Sequence, residues 1–198
     1  MTLSSSDPAW FPLAVRLDDA PVLVVGGGEV AVNKVRLLLA HRARISVIAT
    51  RLVADMRRWV EDGLLTHIAQ DASDDAVRAA LPGCRLVYVA TDDRALNRRI
   101  AAIARDLNVL ACAVDDPQPS TFITPAQVHR GVVRIAISTG GAAPVLARRL
   151  REQVEATIPD GTGALAGFMQ AERERVGAAC PDIVRRRRVW EAFLDGQG

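Results

Sequence analysis

The sequence predicts an α/β protein in which a parallel sheet, covered by helices on both faces, is followed by a small β segment and a helical C-terminal module. Three observations predict it. Short apolar runs at Val22 to Val25, Arg44 to Ile48, Arg85 to Ala90 and Asn108 to Val114 alternate with segments of helical period. The first of these runs ends in Gly26-Gly27-Gly28, and a helical pattern follows at once. Past Asp115 the alternation stops, and from Ala142 onward the pattern is helical throughout.

Each element has its own reason. Phe11 to Leu17 alternates apolar and polar with Pro12 inside, which suits a short edge strand. Val22 to Val25 is a buried strand, and Glu29 to Ala40 is a helix with Ala31, Val35, Leu38 and Leu39 on one face. Arg44 to Ile48 is the second strand; a helix over Leu52 to Glu61 and a short strand over Leu64 to Ile68 follow. Asp74 to Leu81 is helical, and Arg85 to Ala90 is another buried strand. Either Asp92 or Asp93 can cap the next helix, which carries Leu96, Ile100, Ile103 and Leu107. Asn108 to Val114 is the last strand of the sheet. Asp115 to Pro119 is turn-rich, and Phe122 to Ala126 and Val132 to Ser138 read as strands around Arg130-Gly131. Pro144 fits the first turn of a helix continued by Leu146, Leu150, Val154 and Ile158. Pro159-Asp160-Gly161 breaks it, and helices over Ala164 to Ala178 and Asp182 to Leu194 complete the chain. The expected division is 1–114, 115–141 and 142–198.

Composition narrows the function classes. A chain of 198 residues with 49% apolar content is globular. A net charge of +2 gives no argument for nucleic acid. No apolar run approaches the roughly 20 residues that span a bilayer, and no segment has the order of a signal peptide, so a cytoplasmic location without membrane contact is expected. Cys84, Cys112 and Cys180 form neither a metal-spaced pair nor a disulfide framework, and the first two read as small core residues. His41, His67 and His129 share no ligand spacing, so no resident metal is expected. Arginines crowd the C-terminal third, ending in the run Arg185 to Arg188, which suits either a polyanionic partner or a solvated helix face.

The chemistry is concentrated at strand ends. Gly26, Gly28 and Ala31 form a Gly-x-Gly-x-x-Ala turn between strand and helix, the Rossmann-like device for holding a dinucleotide. Gly26 allows the tight turn, Gly28 lets the backbone approach a pyrophosphate, and Ala31 lets the helix sit close. Glu29 and Val30 offer backbone N–H groups at the positive end of the helix. The second strand ends Ile48-Ala49-Thr50-Arg51 without the usual ribose-binding carboxylate. Thr50 can bond a ribose hydroxyl, and Arg51 can stack on adenine or meet a phosphate. Thr91 and Asp92 lie where such folds bind ligands, and are read either as the nicotinamide side or as helix caps. Asp115 and Asp116 end a strand before Pro117, as a proton acceptor, a cation ligand or a turn. Ser138-Thr139-Gly140-Gly141 either binds an anion through its amides or caps the next helix.

The residues also carry a resemblance. Val24-Val25-Gly26-Gly27-Gly28-Glu29-Val30-Ala31 with Lys34, Ala90-Thr91-Asp92-Asp93 with Asn97, Val114-Asp115-Asp116-Pro117 with Phe122-Ile123-Thr124-Pro125-Ala126, and Gly140-Gly141 with Pro144-Val145-Leu146-Ala147-Arg148 resemble the precorrin-2 dehydrogenase part of sirohaem synthases, in order and spacing over about residues 10–195. The resemblance implies oxidation of precorrin-2 to sirohydrochlorin with NAD as hydride acceptor, and in many relatives insertion of Fe(II). It implies a homodimer built largely by the segment after Asp115, with Asp115 acting in both activities. Glu29, Val30, Thr50 and Arg51 match positions that hold the dinucleotide. The tetrapyrrole carries many carboxylates, which suits the C-terminal arginines and a substrate site at Thr139, Gly140, Gly141 and Arg148. Relatives often carry Ser or Thr where Ala143 stands. No methyltransferase segment of the kind fused in sirohaem synthases is expected within these 198 residues. A ferrochelatase without the dehydrogenase step, and a non-enzymatic nucleotide-sensing module, are the competing readings.

Overall fold

The structure, a computed structural model, describes residues 9–196. The described residues divide into two compact units, one up to Ile123 and one from Thr124 onward. In the first unit the elements are β1 (Pro21–Val25), α1 (Glu29–Leu39), β2 (Arg44–Ile48), α2 (Ala54–Glu61), β3 (Leu65–Ala69), α3 (Asp74–Ala80), β4 (Leu86–Val89), α4 (Arg94–Asp106) and β5 (Leu110–Ala113). The five strands are parallel in the order β3-β2-β1-β4-β5. This is the Rossmann-like sheet that the alternation of strands and helices predicts.

Burial explains why these strands read as apolar runs rather than alternating ones. Val22 and Val24 of β1 face a core with Ala31, Val35 and Leu38 of α1 and Met56 of α2. Leu23 and Val25 face the opposite core with Val77, Leu81 and the Ile100–Ala104 face of α4. Where both faces are covered, as in β1, β4 and β5, every position is apolar, whereas β3 at the edge carries Thr66 and His67. Each fully buried Val or Leu side chain stabilises the fold by about 1.5–3 kcal/mol relative to exposure.

The strand order reverses between β1 and β4. The chain walks outward through β1, β2 and β3, then returns across the sheet to β4. The carboxyl ends of β1 and β4 therefore diverge into crossovers on opposite faces, which opens a crevice between them. That crevice holds the Gly26 turn and Thr91.

Two expected strands differ from the sequence reading. Phe11 to Leu17 forms no strand; Phe11 and Leu13 are exposed, and the sheet begins at Pro21. Pro12 has no N–H for a ladder, and the edges of the sheet are β3 and β5. Phe122 to Ala126 is also not a strand. The amides of Thr121 and Phe122 donate to the Ala111 carbonyl (2.7 and 3.3 Å), and the Phe122 ring stands edge-on against Tyr88 at 5.3 Å. The segment is thus a cover on the sheet, and Pro125 at its end cannot donate. The strand begins where the cover ends.

The second unit holds β6 (Ala126–Arg130), β7 (Val133–Ile137), α5 (Pro144–Thr157), α6 (Thr162–Ala179) and α7 (Ile183–Leu194). β6 and β7 pair antiparallel, with Gly131 at the tip in the left-handed region (φ +57°). The tip packs backbone to backbone on the start of α6: a Cβ at Gly163 would lie 2.6 Å from the Arg130 carbonyl. Arg130 ties β6 to α5 through the Glu155 carbonyl (3.3 Å) and carboxylate (3.4 Å). Pro144 opens α5, as its fixed φ favours. The helix stops at Thr157, so Ile158 does not continue it; Pro159 pushes the preceding residue to extended backbone, and Ile158 has φ −93°, ψ 113°. Asp182 caps α7 by accepting from the Arg185 amide at 2.6 Å.

Candidate functional site

The crevice at the end of β1 is built by sterics. Gly26 has φ +120°, a conformation that L residues rarely adopt, and a Cβ there would lie 2.3 Å from the Ala90 carbonyl oxygen. Its amide donates to the Ile48 carbonyl at 2.9 Å, so β1, β2 and β4 all converge on this residue. At Gly27 a Cβ would lie 2.1 Å from the Arg51 carbonyl oxygen. The Gly27 carbonyl in turn accepts from the Val53 amide at 3.0 Å. At Gly28 a Cβ would meet nothing within 4 Å. The first two glycines close the turn against protein backbone, while the third leaves a space open to the crevice.

Gly28 is also the N-cap of α1, with no side chain capping it. The first amides of the helix, at Glu29 and Val30, therefore stand at an open positive terminus, and Ala31 behind them is fully buried. A nucleotide pyrophosphate fits this cradle, because its volume falls where the missing Cβ would stand and its charge meets free N–H groups. Thr50 and Arg51 are exposed on the adjoining loop after β2.

The β4 end is held by a hydrogen-bond lock. Thr91 donates its hydroxyl to the Asn97 side-chain oxygen at 2.5 Å, and the Asn97 amide nitrogen donates to the Thr91 carbonyl at 2.9 Å. Asn97 is a buried polar side chain, and these bonds satisfy it. Asp93 caps α4 by accepting from the amides of Ala95 and Leu96 at 2.8 and 3.0 Å, so the cap falls on Asp93, and Asp92 stands exposed beside it. Only Asp93 is spaced to reach the second and third amides of that helix.

The two aspartates after β5 separate cleanly. Asp116 is mostly buried and accepts from Arg98 at 2.9 Å, and its carbonyl accepts from the Ser120 hydroxyl at 2.9 Å. Asp115 is exposed and sits at φ +65°, in the left-handed region. Holding a non-glycine residue there costs on the order of 1 kcal/mol, and such strain gathers at working positions.

Beneath Asp115, burial pushes the Cys112 thiol up to about 11 from an ordinary 9.0, Asp115 adds to the rise, and Lys34 and a hydrogen bond with Ser120 oppose it. The folded value exceeds the unfolded one. The stabilisation is therefore complete below about pH 9 and is lost as pH climbs through about 11. The urea midpoint is expected to fall over that window by the equivalent of about 2 kcal/mol, and Cys112→Ala should remove that portion of the slope. An unchanged slope in the variant would contradict it. Cys84 is half-buried and its thiol is likewise raised by burial.

In the second unit the turn before α5 carries two successive left-handed glycines, Gly140 (φ +64°) and Gly141 (φ +83°). The Ser138 hydroxyl accepts from the Gly140 amide at 3.1 Å, and the Thr139 hydroxyl accepts from the Ala143 amide at 3.2 Å. The Thr139 bond holds the Ala143 amide, and no side-chain hydrogen bond caps α5 at Ala143. Arg148 is exposed on α5. His41, His67 and His129 are engaged with Leu37, Ala49 and Gln127 at 2.7–2.8 Å. Among the described residues no cluster of three or more His, Cys, Asp or Glu is arranged to hold a metal ion, and no helix is long and apolar enough to cross a membrane.

Comparison with known proteins covers both units. A family model described as "Putative NAD(P)-binding" matches residues 13–126, one described as "Sirohaem biosynthesis protein central" matches 130–157, and one described as "Sirohaem synthase dimerisation region" matches 161–198. The chain belongs to the NAD(P)-binding sirohaem synthase family. It is 68% identical over 194 residues to the sirohaem synthase of Gluconacetobacter diazotrophicus, covering 98% of this chain and 41% of that protein. To the sirohaem synthase of Chromobacterium violaceum it is 41% identical over 187 residues, covering 94% of this chain and 39% of that one. The chain thus spans about two fifths of the length of these relatives. A solved structure of "SirC, precorrin-2 dehydrogenase" superposes with TM-score 0.77 at 26% identity, covering 95% of this chain and 91% of that one.

Sequence reasoning gave no role to two residues that build the crevice of this sirohaem synthase family member. Gly27 is as tightly enclosed as Gly26, and the signal was the third glycine in a turn whose motif requires only two. Asn97 fixes the β4 end, and the signal was an amide on the otherwise apolar inner face of α4.

Proposed function

We propose that this protein is an NAD-dependent precorrin-2 dehydrogenase that yields sirohydrochlorin. The observation that carries the reading is the open cradle at Gly28, set at the switch point of the sheet together with a strained, exposed carboxylate at Asp115. Gly26, Gly28, Glu29 and Val30 would hold the pyrophosphate through backbone amides, Thr50 and Arg51 the adenosine side, and Thr91 and Asp92 would line the nicotinamide side. When bound, the nucleotide supplies a two-electron acceptor for the hydride that leaves a ring carbon. The matching proton leaves to Asp115, which is exposed, whereas Asp116 is committed to Arg98. The nucleotide is taken as NAD, as the family resemblance implies.

Thr139, Gly140, Gly141 and Arg148 are proposed to receive carboxylates of the tetrapyrrole, since the glycine turn exposes amides and Arg148 presents a guanidinium. The functional division is proposed as a nucleotide-binding part over 1–114, a dimerisation segment over 115–141 and a substrate-binding helical module over 142–198. Pairing with a second copy would extend beyond 115–141 into the helical module, where α6 and α7 expose apolar side chains, among them Phe168, Ile183, Val184 and Leu194, within the residues 161–198 that match the sirohaem synthase dimerisation region. Fe(II) enters this account only as a substrate, with Asp115 accepting pyrrole protons during its insertion.

Titration with NAD and NADP tests the nucleotide assignment. NAD should bind the wild-type protein, and Gly28→Asp should weaken it about 100-fold or more by placing a carboxylate against the phosphates. Unchanged affinity in the variant, or preference for NADP, would overturn the respective assignment. The competing chelatase reading is favoured only if the protein consumes Fe(II) with sirohydrochlorin yet reduces no nucleotide with precorrin-2.

A further inference from the structure

Of the basic residues in the chain only one is a lysine, Lys34 on α1. It is half-buried, and its ammonium stands 5.4 Å from the centre of the Tyr88 ring. Among the described residues no carboxylate pairs with it. A half-buried charge over an aromatic face keeps part of its desolvation cost uncompensated until an anion arrives.

Its position says which anion. Side chains on a helix lean toward the helix N-terminus, so Lys34 leans toward the glycine turn and the carboxyl end of the sheet. Tyr88 lies one residue before the end of β4, paired in register with Cys112 of β5, and Phe122 stands edge-on against it. The ammonium therefore lies toward the β4–β5 side of the crevice, below the Asp115 turn, and not at Gly28 at the start of α1. The opposing effects of Lys34 and Asp115 on the Cys112 thiol agree with this neighbourhood.

We infer that Lys34 is a substrate-binding residue whose ammonium receives a carboxylate of the tetrapyrrole on the Asp115 side of the crevice. The inference rests on the dehydrogenase reading for its substrate, and it adds a cationic contact from the nucleotide-binding unit itself. A nucleotide phosphate is the other source of the same chemistry, and the test separates the two.

Sirohydrochlorin is titrated into the NAD-loaded wild-type protein, Lys34→Met and Lys34→Arg, following quenching of tryptophan fluorescence, with NAD affinity measured in parallel. Loss of one charge-assisted contact should weaken sirohydrochlorin about tenfold or more in Lys34→Met, while Lys34→Arg, which keeps the charge, stays within about threefold. NAD affinity should be unchanged in both variants. Wild-type affinity in Lys34→Met, equal losses in both variants, or a loss that falls on NAD would each overturn the assignment. The two readings fail separately. A wild-type protein that binds sirohydrochlorin through Lys34 but reduces no NAD with precorrin-2 sinks only the dehydrogenase reading; one that binds NAD but no sirohydrochlorin sinks both.

Discussion

Gly26→Ala is expected to abolish nucleotide binding and to destabilise the first unit by on the order of 3 kcal/mol. Two effects add. At φ +120° an L side chain is strained whatever space surrounds it, and here its Cβ would stand 2.3 Å from a backbone oxygen, that of Ala90. Neither side can give way cheaply. The Ala90 amide donates to the Val25 carbonyl at 2.7 Å, and the Gly26 amide donates to the Ile48 carbonyl at 2.9 Å, so any shift breaks the sheet's central ladders. Gly28→Ala is the matched control. Its φ of −90° is ordinary and its Cβ would meet nothing within 4 Å, so the fold should persist while phosphate binding suffers. Urea unfolding and NAD titration of both variants check this. A Gly26→Ala protein of wild-type stability would contradict the steric account of the turn.

Asp115→Asn is expected to lower kcat by about 10²–10⁴ while NAD affinity stays at the wild-type value. Asparagine is the informative replacement because, like aspartate, it tolerates the left-handed backbone that Asp115 adopts at φ +65°. It removes the proton acceptor and leaves the turn in place. Asp115→Ala removes both, and should add a stability loss to the same loss of rate. Asp116, held by Arg98 at 2.9 Å, cannot take over without giving up that ion pair. Steady-state rates of NADH formation from precorrin-2 measure the effect. Full turnover in Asp115→Asn would remove this carboxylate from the chemistry.

The parallel sheet was legible because burial on both faces of a strand leaves one solution, an apolar run, and because Gly26-Gly27-Gly28 punctuates the first run. Boundaries went astray where tertiary packing overrode local preference. Phe122-Ile123-Thr124 has strand-forming side chains, yet Phe122 is drawn onto Tyr88 and the ladder starts at Ala126. Ile158 fits the helical period, but the ring of Pro159 excludes helical backbone there. Phe11 and Leu13 alternate as a strand would, yet they pair with neither edge of the sheet and stay exposed. At the site, residue types marked the crevice correctly as a place of interest. They could not divide Asp92 from Asp93, or Asp115 from Asp116, because which aspartate caps a helix or meets Arg98 depends on backbone direction that spacing does not carry.

The claim at the centre of this account is that a hydride acceptor seated on the Gly28 cradle meets its substrate beside Asp115. Anaerobic mixing of the protein with precorrin-2 and NAD tests it most directly, with NADH and sirohydrochlorin followed together. The account predicts that both appear in equal amounts and that neither forms when Gly28 is replaced by Asp. Sirohydrochlorin formation that proceeds without matching NADH, or no product from a protein that binds both ligands, would contradict it.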